Sequence, residues 1–157
     1  MSSHIDESGS AVMIDVSGKA VTARTAVAEG FIRMSGAVLE AIRGNTLKKG
    51  DALAVARIAG ILAVKNTPRA IPLCHSIPID GCDIALETED GRIRATCRVA
   101  CTAKTGAEME ALSGVSAALL TIYDMCKSID KDMELYGVRL LAKSGGASGC
   151  HVRERAD

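Results

Sequence analysis

Apolar positions change their period several times along the chain, and each change marks an element. Residues 19–34, "KAVTARTAVAEGFIRM", alternate enough for a strand. "SGAVLEAIRGN" carries a short helix ending near Gly44–Asn45. "DALAVARIAGILAVKN" is apolar over most of its circumference, which predicts a buried helix opening at Gly50–Asp51 and stopped by Thr67–Pro68. Asp90–Gly91 between two alternating runs predicts a hairpin with a type I′ turn. Pairing 88 with 93, 86 with 95, 84 with 97 and 82 with 99 puts Cys82, Ile84, Leu86, Ala95, Cys97 and Val99 on one face. Arg92, Arg94 and Arg98 then take the other.

A long helix follows in "TGAEMEALSGVSAALLTIYDMCKSID", with Thr105 and Glu108 in capping-box spacing. Met109, Leu112, Val115, Leu119, Ile122, Cys126 and Ile129 form its expected core stripe. "YGVRLLAKSGG" supplies a last strand. Strand, helices, hairpin, helix and strand together predict one α+β domain over 1–157. Its antiparallel sheet is ferredoxin-like, with helices on one face and loosely ordered ends at about 1–10 and 146–157.

Composition narrows the function classes. Nineteen Lys and Arg balance nineteen Asp and Glu, leaving no field to gather nucleic acid or anionic lipid. Aromatic residues are 2% of the chain, too few for base-stacking RNA recognition. The polar start "MSSHIDESGS" is unlike a signal peptide, and no apolar run approaches a membrane span, so the expected compartment is the cytoplasm. The six cysteines sit inside apolar patterns, as free thiols of a reducing compartment do.

Chemistry has few places to sit. Cys74 and His75 are adjacent in "IPLCHSI", so in an extended chain they point to opposite faces. That geometry disfavours both a shared metal ion and a direct nucleophile–base pair. Cys74 is then packing, and His75 faces solvent or ligand. Lys48 and Lys49 precede a helix start, where anions are favoured, although no Walker loop exists. "KSGGASG" could fold into a phosphate nest. Asp124 and Lys127 are neighbours on the long helix, beside Tyr123 in an otherwise apolar stretch. Glu110 falls on nearly the same stripe, roughly 21 Å away by helix rise. A small ligand touching both carboxylates must lie between subunits.

The stretches "KKGDALAVARIAGILAVK", "IPLCH", "TGAEMEALSGVSAALLTIYDMCK" and "VRLLAKSGG", spread over Met13 to Gly149, closely resemble the MoaC family of molybdenum cofactor biosynthesis. The resemblance implies a lyase that rearranges 3′,8-cyclo-7,8-dihydro-GTP to cyclic pyranopterin monophosphate and releases pyrophosphate. It implies no redox cofactor; any magnesium would arrive with the triphosphate. Asp124, Lys49 and Lys127 take the catalytic positions. Leu73, Cys74, His75, Glu108, Met109 and Glu110 match substrate-binding stretches, and Lys143 is a further cation for the phosphates. The implied assembly is a homohexamer, a trimer of dimers with sites between subunits. Ser76 stands where the family pattern has proline, and Ala147 where a lysine can occur. A lysine flanked by other cations would have a lowered pKa, suiting it to proton transfer. A catalytically silent protein presenting a nucleotide to a partner is the alternative from another class.

Overall fold

A computed structural model describes residues 8–154. Strand β1 (Thr22–Arg33) leads to helices α1 (Gly36–Arg43) and α2 (Ala52–Ala70). Strands β2 (Gly81–Glu89) and β3 (Arg92–Ala103) form the hairpin. Helix α3 (Glu108–Cys126), strand β4 (Glu134–Ser144) and the two-residue strand β5 (His151–Val152) complete the chain. The sheet runs β2-β3-β1-β4-β5 with every neighbour antiparallel. The fold is α+β and ferredoxin-like, as the order of elements predicts. β5 was not foreseen, because two exposed residues carry no periodicity.

The two-residue turn sets the hairpin register: Cys82 pairs with Val99, Ile84 with Cys97, Leu86 with Ala95 and Thr88 with Ile93. Ile84, Ile93, Ala95, Cys97 and Val99 are buried under the helices. The turn is not type I′, which needs a positive φ at both central residues. Gly91 has φ 70°, whereas Asp90 is not among the positive-φ residues.

Three helix expectations need correction. α2 runs through Pro68 to Ala70, ending where the Ile71 N–H donates to the Thr67 carbonyl at 2.9 Å. Pro68 cannot donate to the Val64 carbonyl and its ring crowds that oxygen, yet the helix continues for two more residues before it ends. Nor is α2 buried around its circumference. Ala52, Ala56, Gly60, Val64 and Thr67 face inward, while Val55, Ile58 and Leu62 are exposed. The expected core stripe of α3 holds at Val115, Leu119, Ile122 and Cys126, but Met109 and Ile129 are exposed and Leu112 is half-buried. Small residues replace them: Ala111, Gly114 and Ala118 are buried, Gly114 and Ala118 close to Gly60 of α2. A Cβ at Gly60 would lie 2.9 Å from the Gly114 carbonyl oxygen, so the helices cross almost backbone to backbone.

The other face of the sheet carries the buried Glu29 carboxylate, clamped by Arg94 at 2.8 Å and Arg139 at 2.7 Å. A bulge at Gly137 (φ 62°), between the Phe31–Tyr136 and Glu29–Arg139 pairs, brings Arg139 into line. Among the described residues no helix is long and apolar enough to cross a membrane.

Candidate functional site

Helix α3 carries one chemically equipped group at each end. At its C-terminal end Asp124 projects from the last turn. The turn before α2 delivers Lys49 to it: Gly50 (φ 88°) turns the chain, and Asp51 caps α2 by accepting the Ala54 N–H at 2.9 Å. Asp51 therefore fills the helix start that the lysines were expected to offer an anion. Lys49 Nζ instead donates to Asp124 Oδ2 at 2.8 Å and to the Asp124 backbone carbonyl at 3.0 Å. Lys127 Nζ sits 2.8 Å from Oδ1, so each carboxylate oxygen has its own ammonium. Lys49, Tyr123, Asp124, Lys127, Ser128 and Lys131 line an open cavity of about 340 Å³.

The electrostatics differ from those expected of a depressed lysine. The Lys127 and Lys49 ammonium groups hold the Asp124 carboxyl down to about 2. Reciprocally, Asp124 raises the Lys127 pKa above its ordinary value. In this state Lys127 is a firmly protonated donor rather than a base.

The N-terminal end of α3 is built differently. Ala107 occupies the N-cap position without a side-chain cap, and Thr105 lies before it, so the expected capping box does not form. Glu108 folds back over Gly106 and approaches Lys143 Nζ at 3.7 Å. Lys143 also donates to the Ser148 hydroxyl. A cavity of about 650 Å³ opens here, lined by Lys19, Arg24, Lys104, Glu108 and Lys143 among others. Arg24 is fixed by donating to the Ala103 and Lys104 carbonyls, both at 3.1 Å. The loop after β4 folds against it, with Gly145 (φ 92°) and Gly146 (φ 75°) where side chains would collide with Arg24.

Sequence reasoning missed Arg24, Lys104 and Lys19. Arg24, an arginine inside a run of Ala, Thr and Val, was the available signal. The two lysines look like ordinary surface charge until β1 and β3 bring them beside Lys143.

The remaining predicted residues distribute around this end. His75 Nε2 meets the Ile14 carbonyl at 2.8 Å and borders a neighbouring cavity of about 290 Å³ that shares Lys104 and Thr105 with the larger one. Cys74 is half-buried with its thiol pKa pushed up by burial and then by Glu110, consistent with packing rather than nucleophilic duty. Leu73 and Met109 are exposed. Glu110 is 3% exposed, and burial raises its carboxyl pKa, with the Glu108 charge adding to the effect. It is not the solvated surface residue that helix spacing alone would allow. Among the described residues no three of His, Cys, Asp and Glu gather as metal ligands.

Comparison with known proteins agrees over nearly the whole chain. The MoaC family model matches residues 13–146. The chain is 53% identical over 153 residues to the cyclic pyranopterin monophosphate synthase of Thermoanaerobacter pseudethanolicus, covering 96% of this chain and 97% of that protein. Those of Desulfitobacterium hafniense and Streptomyces coelicolor are 51% and 50% identical, covering 96% of this chain and 93% and 88% of theirs. The sequence motifs, the ferredoxin-like sheet and these matches concur: the chain belongs to the MoaC family.

Proposed function

We propose that this protein converts 3′,8-cyclo-7,8-dihydro-GTP to cyclic pyranopterin monophosphate with release of pyrophosphate, in molybdenum cofactor biosynthesis. The observation that carries the reading is the Lys49–Asp124–Lys127 cluster, in which one carboxylate holds two ammonium groups at 2.8 Å. Pre-positioned cations beside an ionised carboxylate suit a reaction that opens and closes rings around a phosphate ester. Lys127 donates a charge-assisted hydrogen bond to developing negative charge, Asp124 orients both lysines, and Glu110 is the carboxyl whose pKa burial raises. The Arg24, Lys104, Lys143 and Lys19 cavity suits a triphosphate, with His75 beside it. No redox cofactor has a role, and any magnesium would enter with the triphosphate.

The catalytic cluster and the cation-lined cavity lie at opposite ends of α3. From Glu110 to Asp124 the helix rises roughly 21 Å, too far for one small substrate to span within a chain. This supports a site shared between subunits of a homohexamer built as a trimer of dimers. The exposed Val55, Ile58 and Leu62 of α2 and Leu120 of α3 are the kind of apolar face another copy would cover.

The test is turnover of the cyclised GTP derivative by the purified protein, followed as pyrophosphate release. Stoichiometric pyrophosphate and cyclic pyranopterin monophosphate are expected. Tight binding of the substrate without turnover would instead establish a nucleotide-presenting protein.

A further inference from the structure

The chain leaving α3 turns on the Cys126 carbonyl, which accepts the Ile129 N–H at 2.9 Å and the Asp130 N–H at 3.3 Å. Asp130 then reaches across to the start of α1. Its Oδ2 accepts the Ser35 N–H at 2.9 Å, and its Oδ1 accepts the Asp132 N–H at 2.9 Å. These backbone donors hold the Asp130 carboxyl below its ordinary pKa, that of Ser35 most of all. One residue on, the Lys131 carbonyl accepts the Tyr123 hydroxyl at 3.1 Å, which ties the loop back to α3. The backbone of Lys131 is therefore fixed on both sides, and Lys131 lines the cavity around Asp124. In that cavity three ammonium groups stand against one carboxylate. Asp124 gives one oxygen to Lys49 and the other to Lys127, each at 2.8 Å. Among the described residues, Lys131 Nζ has no carboxylate within ion-pair distance.

We propose that Lys131, positioned by Asp130 and Tyr123, binds the one phosphoryl group that the substrate keeps in its cyclic product. This rests on the conversion proposed above. A phosphate oxygen approaching Lys49 or Lys127 competes with Asp124 for the same donors. Lys131 can take that oxygen in a charge-assisted bond without breaking any bond inside the protein. The conversion builds one phosphoryl into a new ring and releases two as pyrophosphate. The retained phosphoryl is thus the one at the ring closure, beside the Asp124 cluster, and the departing pair lies farther out toward the other cations. The retained oxygen is anionic in substrate and product alike. Lys131 therefore contributes to binding both and little to the barrier between them. Asp130 touches no ligand and acts through Lys131 as a positioning residue.

The test is steady-state kinetics with the cyclised GTP derivative, joined to the binding of each product. Lys131 is exposed, so Lys131→Ala should fold as the unaltered protein does. It is expected to raise KM about tenfold while kcat stays within about threefold. Its affinity for cyclic pyranopterin monophosphate should fall by a similar factor and its affinity for pyrophosphate should not change. Lys131→Arg, which keeps the charge, should recover most of the loss. Asp130→Ala is expected to raise KM as well, and the Asp130→Ala/Lys131→Ala variant should be no worse than Lys131→Ala alone. Tyr123→Phe gives the same comparison if Asp130→Ala does not fold. An unchanged KM in Lys131→Ala, or a loss of pyrophosphate affinity in place of product affinity, overturns the assignment of Lys131. Effects of the two substitutions that multiply overturn the positioning role of Asp130. Absence of turnover by the unaltered protein overturns the proposed conversion itself, and this inference with it.

Discussion

Asp124 owes its low pKa to the two ammonium groups it divides. With the carboxyl at about 2 against an ordinary 3.8, the cluster is complete above about pH 3.8 and is lost only as pH falls through about 2. Asp124 therefore cannot produce an acid limb in the activity profile near neutrality. Asp124→Asn is expected to lower kcat by about 10²-fold or more at every pH from about 5 to 9, with the shape of the pH profile unchanged. A profile whose shape changes in this variant would return the titration to Asp124. Lys49→Ala and Lys127→Ala should lose comparable activity while the thermal midpoint hardly changes, since both ammonium groups are exposed. Glu110 behaves in the opposite sense. Its carboxyl titrates near 4.5 in the unfolded chain and higher in the folded one. Its contribution to stability is full below about pH 4.5 and is lost as pH rises through the folded pKa. Glu110→Gln should therefore raise the melting temperature at pH 7, by about 2–4 °C for each ~1 kcal/mol relieved, and leave it unchanged at pH 4. A loss of stability at pH 7 would mean the charged form has a partner. Sequence spacing located both carboxylates on α3, but burial at one end and clamping at the other depend on residues dozens of positions away. Their contrasting titrations could not be read from the helix alone.

At the scale of elements, legibility followed periodicity. The hairpin register was readable because the two-residue turn at Asp90–Gly91 fixes the pairing, and a period of two then buries one consistent face. The outer face of α2 was not readable, because Val55, Ile58 and Leu62 are as apolar as its inner face. Glycine inside helices was the overlooked sign of close approach. Gly60 meets the Gly114 carbonyl, and Gly114 meets Val64 and Cys97, where a Cβ would come within 2.8 Å of Val64 Cγ2 and 2.7 Å of Cys97 Sγ. A backbone oxygen cannot rotate aside, so Gly60→Ala must push α2 and α3 apart. It is expected to cost ~1–3 kcal/mol, read as a melting point lower by several degrees. Gly36→Ala, with open space around it at the start of α1, is the control and should be neutral or mildly stabilising. Equal melting points for the two variants would show that the α2–α3 crossing is not tight.

For the whole molecule the decisive question is whether the two ends of α3 serve one site. Glu110 and Asp124 stand roughly 21 Å apart along one rigid helix, so no motion within α3 brings them together. In a symmetric assembly whose site takes the N-terminal end of α3 from one chain and the C-terminal end from another, the two functions can be separated. Subunits with Glu110→Ala are inactive through one end, and subunits with Asp124→Ala through the other. After reversible dissociation and mixing in equal amounts, about a quarter of the sites draw an intact end from each parent. Activity should then return to about a quarter of the unaltered protein's. If Glu110→Ala proves unstable, Lys143→Ala, a half-buried position of β4 in the cavity wall, disables the same end of the site. Should both mixtures remain inactive while labelled subunits demonstrably exchange, the two ends do not meet across a subunit boundary. The cavity at Lys143 would then serve a ligand other than the one handled at Asp124.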